Sequence, residues 1–513
     1  MDNPAHLAKL IHMPRRNTSA LLWLGLITSL LSIHTSAAPT PPPNIIFFMA
    51  DDLGYAELGC YGQTKIRTPN LDRLANAGMR FTSHYAGNAV CAPSRCVLMT
   101  GLHPGHAQVR DNSEVKPEGQ RPLLKDTATL ARLLQQAGYT TGAFGKWGLG
   151  PVGSDGDPLR QGFNRFFGYN CQRVAHNFYP TYLYDNDQRL PLDNPDFPAH
   201  QKLPEDADPN DPASYKRYQG NDYAPDRIMA AARDFIRSNQ DNPFFCYVPT
   251  TVPHLALQVP EDSLAEYKDA FPEDPPYTGN KAYLPHHSPR AAYAAMVTRM
   301  DHEIGRIMQL IDELGLTDNT LFIFTSDNGP TYDRLGGSDS DFFASAGPFR
   351  GLKGSLYEGG IRVPLVAHWP GHIQPGTTSD RLTGFEDWLP TLLEITGHKN
   401  LIPAKLDGIS FAPTLLGRPQ SERPFLYREF PGYGGQQFVR SGNWKLIRQD
   451  WNRAPNAKLQ PRTELYNLAN DPGEQHNLTT TQPERVKSLL EILNQQHTPS
   501  ATFPFSRLDQ ANH

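Results

Sequence analysis

The chain has 513 residues, a formal net charge of −5 and five cysteines. That length exceeds what one ordinary domain needs and allows a large core with a smaller companion. A nearly balanced charge without a long basic run excludes a nucleic-acid partner gripped through its phosphates, so any anion site has to be local. The cysteine spacing fits no zinc pattern.

At the N-terminus, Arg15 and Arg16 precede the apolar run from Ala20 to Ile27, and Thr35-Ser36-Ala37 supplies small residues. This order predicts an export signal over residues 1–37, cleaved after Ala37. The apolar run is short and interrupted by Thr28, Ser29 and Ser32, which does not suit a permanent span. No later segment is apolar enough to cross a bilayer, so the expected location is periplasmic or secreted, with no membrane association after signal cleavage. In that oxidising setting Cys60, Cys96, Cys171 and Cys246 are thiols or bridges, and spacing does not say which.

In chain order, the apolar run 44–50 predicts a strand ending at Asp51-Asp52. Helical patterns follow over 71–77, 93–100 and 129–137, and a strand over 140–144 leads to Lys146. The stretch 193–214, rich in Pro, Asp and Asn, reads as an irregular excursion. A helix over 226–238 and a strand over 244–248 lead to His254, and a second irregular stretch spans 261–289. A long helix over 291–314 then precedes a strand over 321–325 that runs through Ser326 into Asp327-Asn328. A strand over 363–368 and a helix over 387–395 complete this part. Beyond Pro413 the pattern shortens to strands over 425–428, 437–441, 444–447 and 464–466 and a helix over 483–495. The predicted class is α/β: a large, mainly parallel sheet flanked by helices over 44–412, and a small C-terminal antiparallel sheet plus helix over 413–513.

Strand ends of an open α/β sheet meet at its carboxyl edge, where ligands bind. Asp51, Asp52 and Asp327 would repel one another there unless a hard divalent cation stood between them, and Asn328 adds an amide oxygen of the kind Ca²⁺ or Mg²⁺ accepts. Lys146 and His254 reach the same edge. Lys353, between glycines in Gly351-Leu352-Lys353-Gly354, adds positive charge where the backbone can approach a ligand closely. Together these groups supply cations for ester oxygens and a proton donor for a leaving alcohol.

The segment Cys91-Ala92-Pro93-Ser94-Arg95, followed by Cys96 to Gly101, resembles the cysteine-type maturation signature of the sulfatase family, within the alkaline phosphatase superfamily. Asp51-Asp52-Leu53-Gly54, Gly145-Lys146-Trp147, Val252-Pro253-His254, Ser326-Asp327-Asn328-Gly329 and Gly351 to Arg362 occur in that family's order. The tail Glu464-Leu465-Tyr466-Asn467-Leu468 is similar to its C-terminal subdomain. The resemblance implies that a maturation enzyme converts Cys91 to formylglycine, whose gem-diol attacks sulfur and later expels sulfate by elimination. It implies one Ca²⁺ held by Asp51, Asp52, Asp327, Asn328 and residue 91. Asp327 would also accept the proton of the attacking hydroxyl. Arg95 would hold the formylglycine, Lys146 and Lys353 the sulfate oxygens, and His254 would protonate the leaving alcohol.

One position departs from the pattern: many sulfatases carry a histidine two residues after the lysine, as the base for sulfate elimination, and this chain has Gly148. His176, or His106, is the candidate replacement. The implied substrate is a sulfated glycan or an aryl sulfate, with Tyr179, Tyr182, Tyr184 and Tyr223 as candidate sugar-stacking surfaces. The alternatives are a phosphonate or phosphodiester hydrolase of the same superfamily and a non-catalytic glycan-binding relative. The last predicts lost nucleophile or metal residues, and none is lost.

Overall fold

Asn44 is followed by six apolar residues, and the strand they form, β1 (Asn44–Ala50), is buried along its whole length. The computed structural model describes residues 41–454 and 456–511; the expected export signal lies outside the described residues. The strands after β1 are β2 (Met79–Phe81), β3 (His84–Tyr85), β4 (Thr140–Lys146), β5 (Arg165–Tyr169), β6 (Tyr182–Asp185), β7 (Gln188–Pro191), β8 (Phe244–Pro249), β9 (Thr320–Ser326), β10 (Leu365–His368), β11 (Thr377–Ser379) and β12 (Thr383–Gly384). Four more, β13 (Leu426–Phe430), β14 (Gln436–Ser441), β15 (Trp444–Gln449) and β16 (Arg462–Asn467), lie near the C-terminus.

Ten strands form one sheet in the order β11-β2-β10-β9-β1-β8-β4-β5-β6-β7. Its centre is parallel, β1 pairing with β8 and β9, and β4 with β8 and β5. Alternate residues of the central strands serve two cores. Ile46 and Phe48 pack with α1 (Pro69–Ala77), α4 (Ala224–Ser238) and α5 (Pro289–Glu313) on one face. Ile45, Phe47 and Met49 pack with α2 (Cys91–Thr100), α3 (Leu130–Gln136) and Trp388 on the other. Helices on both faces explain the continuous apolar runs, and each fully buried Phe stabilises the fold by about 1.5–3 kcal/mol. Helices α1, α4 and α5 each begin with Pro in the first turn, where the missing N–H costs nothing.

The sheet departs from expectation at its flanks. The predicted strand over 363–368 forms as β10, antiparallel to both β9 and β2. The short strands β2, β5, β6, β7 and β11 have no sequence signature, because they are added onto a sheet already built by longer runs. Register fixes the business edge: Ala50 pairs with Ser326 and Met49 with Pro249, so Asp51, Asp327 and Thr250 emerge side by side.

The C-terminal strands form the expected antiparallel sheet, β13-β14-β15-β16. One face packs with Leu489 and Leu493 of the helix Pro483–Gln495. The other packs with Val90, Leu356 and Ile361, beside the segments that carry Cys91 and Lys353. Buried ion pairs add to this contact: Arg428 binds both oxygens of Glu386 at 3.0 and 2.8 Å, and Lys445 lies 2.9 Å from Glu358. Among the described residues no helix is long and apolar enough to cross a membrane, and all five cysteines are unpaired.

Candidate active site

Cys91 is the first residue of α2 and is buried at the helix's positive end. The N–H of Ala92, otherwise free at this helix start, donates to Asn112 Oδ1 at 3.0 Å, and Ser94 N–H makes the first intrahelical bond, to the Val90 carbonyl at 3.2 Å. Arg95 falls one turn later on the same face. Its guanidinium donates to Asp327 Oδ2 at 2.8 and 3.2 Å and to the carbonyl of Lys146.

The strand-end carboxylates converge on Cys91. Asp51 accepts from Lys146 Nζ at 2.7 Å and from the Cys91 thiol at 3.3 Å. Asp52, with φ of 66°, turns its N–H to Asp327 Oδ1 at 3.2 Å. Its carboxylate accepts from Lys353 Nζ at 2.7 Å and Asn328 Nδ2 at 2.8 Å. Lys146 Nζ and Lys353 Nζ stand 3.5 and 3.6 Å from Cys91 Sγ. His254 Nδ1 donates to the Leu255 carbonyl at 2.6 Å, which leaves Nε2 facing Asp52 Oδ2 at 3.6 Å.

Three buried carboxylates thus face three buried cations. Burial alone would raise Asp51, but Lys146 and its other cationic neighbours hold it far below the usual carboxylate range. Burial and the adjacent Asp51 push Asp327 up to about 6. Burial and then Lys353 press His254 well below the ordinary imidazole value. Burial, reinforced by Asp51, pushes the Cys91 thiol up. A thiol held protonated is a poor nucleophile.

Ligand atoms of Asp51, Asp52, Cys91 and His254 lie within 4.8 Å of one another. Asn328, bonded to Asp52 through Nδ2, has its Oδ1 buried without a hydrogen-bond partner. An orphaned amide oxygen beside carboxylates is costly unless a cation takes it, so the cluster fits a metal site for a hard ion. His254 belongs to this convergent group, whereas Asp327 is clamped by Arg95. A second group, His103, His106 and Asp407, is already satisfied by hydrogen bonds. His103 Nδ1 accepts from Gly105 N–H at 3.2 Å, so its other nitrogen carries the proton toward Gln496; His106 bonds to Asp407 at 2.9 Å. None of these contacts involves the Cys91 cluster.

The structure also places residues that the sequence did not single out: Gln172, His200 and Tyr283. Gly148 has φ of 80°, and a Cβ there would lie 2.8 Å from Gln172 Nε2. Gln172 is buried and that nitrogen has no partner. The missing side chain in Gly145 to Gly150 was the only signal that a neighbour fills the space. His176 stacks on His254 at 5.0 Å between ring centroids, and its Nδ1 lies 3.1 Å from His200 Nε2. His200 Nδ1 accepts from Tyr283 N–H at 3.2 Å, so the network assigns the proton to His200 Nε2, and His176 Nδ1 is the acceptor. Both irregular excursions therefore deliver a residue to the site. The suggested sugar-stacking tyrosines do not all survive: Tyr179 and Tyr223 are core residues, 5.3 Å apart, because the segment before α4 folds inward. Tyr182 and Tyr184 share Glu118 and Arg189.

The family model named Sulfatase matches residues 43–398, more than half of the chain. The chain belongs to the sulfatase family. A second model, the C-terminal region of N-sulphoglucosamine sulphohydrolase, matches residues 352–498. Human arylsulfatase A is 35% identical to this sulfatase over 509 residues, covering 92% of each chain. An N-acetylgalactosamine-6-O-sulfatase of Bacteroides thetaiotaomicron is 30% identical over 511 residues, covering 88% of this chain and 92% of its own. The crystal structure of Ps i-CgsB superposes with a TM-score of 0.70 at 25% identity, covering 88% of this chain and 92% of that one. The ten-stranded sheet is the alkaline-phosphatase-like fold, and this sulfatase is a sulfuric ester hydrolase.

Proposed function

We propose that this sulfatase is exported, hydrolyses sulfate esters of glycans, and does so with residue 91 as formylglycine and Ca²⁺ as the bound ion. In this reading residues 44–412 are the catalytic part and 413–513 a C-terminal subdomain. The observation that carries it is the position of Cys91 Sγ, within 3.6 Å of two lysine nitrogens and 3.3 Å from Asp51. A protonated thiol has no use for such surroundings, whereas an oxygen nucleophile in its place would meet a sulfur flanked by cations. Asp51, Asp52, Asp327 and Asn328 would hold the ion, which when bound supplies positive charge at the nucleophile.

The remaining roles follow from donors and acceptors. Each lysine ammonium has three donors and gives one to an aspartate, leaving others for sulfate oxygens. Arg95 fixes the Asp327 carboxylate, which can take the proton of the hydroxyl at residue 91. His254, tethered through Nδ1, offers Nε2 to the leaving alcohol. His176 has two readings: base for sulfate release, or donor to a sugar hydroxyl. Its bonded tautomer, with Nδ1 engaged by His200, favours the second.

Mass spectrometry of the peptide containing residue 91, from active protein, tests the reading. Conversion of thiol to aldehyde lowers the mass by about 18 Da. Unmodified thiol in an active preparation sinks it. Faster turnover of an aryl phosphodiester than of an aryl sulfate would instead favour a phosphodiesterase.

A further inference from the structure

Tyr433 is 59% exposed, in the glycine-rich turn 431–435 between β13 and β14. A tyrosine with φ of 50° is in the left-handed region, which a bulky residue occupies only when its surroundings hold it there. Those surroundings are visible. The phenol bonds to Tyr332 OH at 2.7 Å. The rings of Tyr332 and Phe430 meet it edge-to-face, at 65° and 87° with centroids 6.1 and 5.3 Å away, so neither stacks parallel on it. The inner edge of the ring rests on Gly354, where a Cβ would come within 2.4 Å of Tyr433 Cε2. Gly354 directly follows Lys353, whose Nζ is 3.6 Å from Cys91 Sγ.

A large, mostly exposed aromatic ring is thus held against the residue that follows Lys353, the lysine assigned to the sulfate oxygens. Its packing contact with the core runs through Phe430, and 59% of the residue still faces solvent. A pyranose ring presents an apolar face of C–H bonds, and a fixed aromatic ring binds such a face with little loss of side-chain freedom. We propose that Tyr433 is the stacking platform for the sugar ring that adjoins the sulfated one, so that the substrate is a sulfated oligosaccharide and its affinity depends on the second ring. The small C-terminal sheet then supplies part of the substrate site through the turn between β13 and β14. This inference rests on the glycan sulfatase reading.

The test compares the full-length, matured wild type with Tyr433→Ala and Tyr433→Trp. The substrates are 4-nitrophenyl sulfate, 6-O-sulfo-N-acetylgalactosamine, and chondroitin 6-sulfate and carrageenan tetrasaccharides. Tyr433→Ala should raise KM about tenfold on whichever tetrasaccharide is turned over, the effect of losing one stacking contact. The two small substrates should stay within about twofold of wild type, and Tyr433→Trp should keep the tetrasaccharide KM. Equal losses on all substrates, or no change on any, overturn the proposal. Binding of the desulfated tetrasaccharides by calorimetry gives a readout independent of turnover. Weaker binding by Tyr433→Ala supports the platform; equal binding, or none by the wild type, overturns it. Failure of the wild type to cleave any sulfate ester would instead count against the sulfatase reading.

Discussion

Gly148 and Gln172 compete for one space: a side chain at 148 would begin 2.8 Å from the Gln172 amide nitrogen. A histidine at 148 would have to move the Gln172 side chain aside and take up a strained positive φ, so the two positions are linked.

An unpartnered buried amide costs about 1–3 kcal/mol in a fold that gains nothing from it. Gln172→Met keeps the volume and removes that cost. Its thermal midpoint should equal or exceed that of wild type, while kcat/KM on an aryl sulfate falls. A lower midpoint with unchanged kinetics would show that the amide has a structural partner instead. Gly148→His should destabilise alone and less so together with Gln172→Gly, with the cost of a side chain at positive φ remaining.

His254 and His176 separate by leaving group. A poor leaving alcohol needs a proton and a nitrophenolate does not, so His254→Ala should reduce turnover of a sugar sulfate about 100-fold or more, and that of 4-nitrophenyl sulfate much less. Equal losses on both would remove the acid role. His176→Ala should raise KM for the sugar substrate if it contacts a hydroxyl. Accumulation of sulfated protein, seen by mass spectrometry, would mark it as the base for sulfate release.

The orphaned Asn328 oxygen predicts a cation requirement. A strong chelator should abolish activity and lower the thermal midpoint, with Ca²⁺ restoring both. Elemental analysis of the untreated protein should give one ion per chain. Asn328→Leu should bind the ion more weakly while keeping the fold. Full activity after exhaustive chelation would contradict the metal assignment.

Acid should destabilise the fold through its buried neutral histidines. Burial lowers His84 to about 3 and both His103 and His286 to about 4. In the unfolded chain each titrates near 6.5, so below that pH the unfolded state binds more protons. Their contribution is complete above about pH 6.5 and is lost as pH falls toward the folded values, at up to about 1.4 kcal/mol per pH unit for each residue. Urea unfolding between pH 7 and 5 measures the slope, and His84→Gln should make it shallower. An identical slope in that variant would exclude His84.

The sequence alone determined the parts whose signal is local. Apolar runs gave the central strands, and the residues ending them gave Asp51, Asp52, Lys146, His254, Asp327 and Asn328. Cys91 and Arg95 were legible through the resemblance of one short motif. Each of these signals lies within a single segment, because a strand's pattern and its terminating charge are set by neighbours in the chain. Tertiary structure decided what depends on distant segments meeting. It set β10 antiparallel within the mainly parallel sheet, paired Lys146 with Asp51 and Lys353 with Asp52, and buried Tyr179 and Tyr223. It also brought Gln172, His200 and Tyr283 to the site, and Tyr433 against Gly354 beside Lys353, from stretches without apolar periodicity. Tyr433 bonds to Tyr332 across 101 residues of chain, and Asn328 to Asp52 across 276. Periodicity reports which way a residue faces within its own element, and says nothing about which distant element will be packed there to receive it.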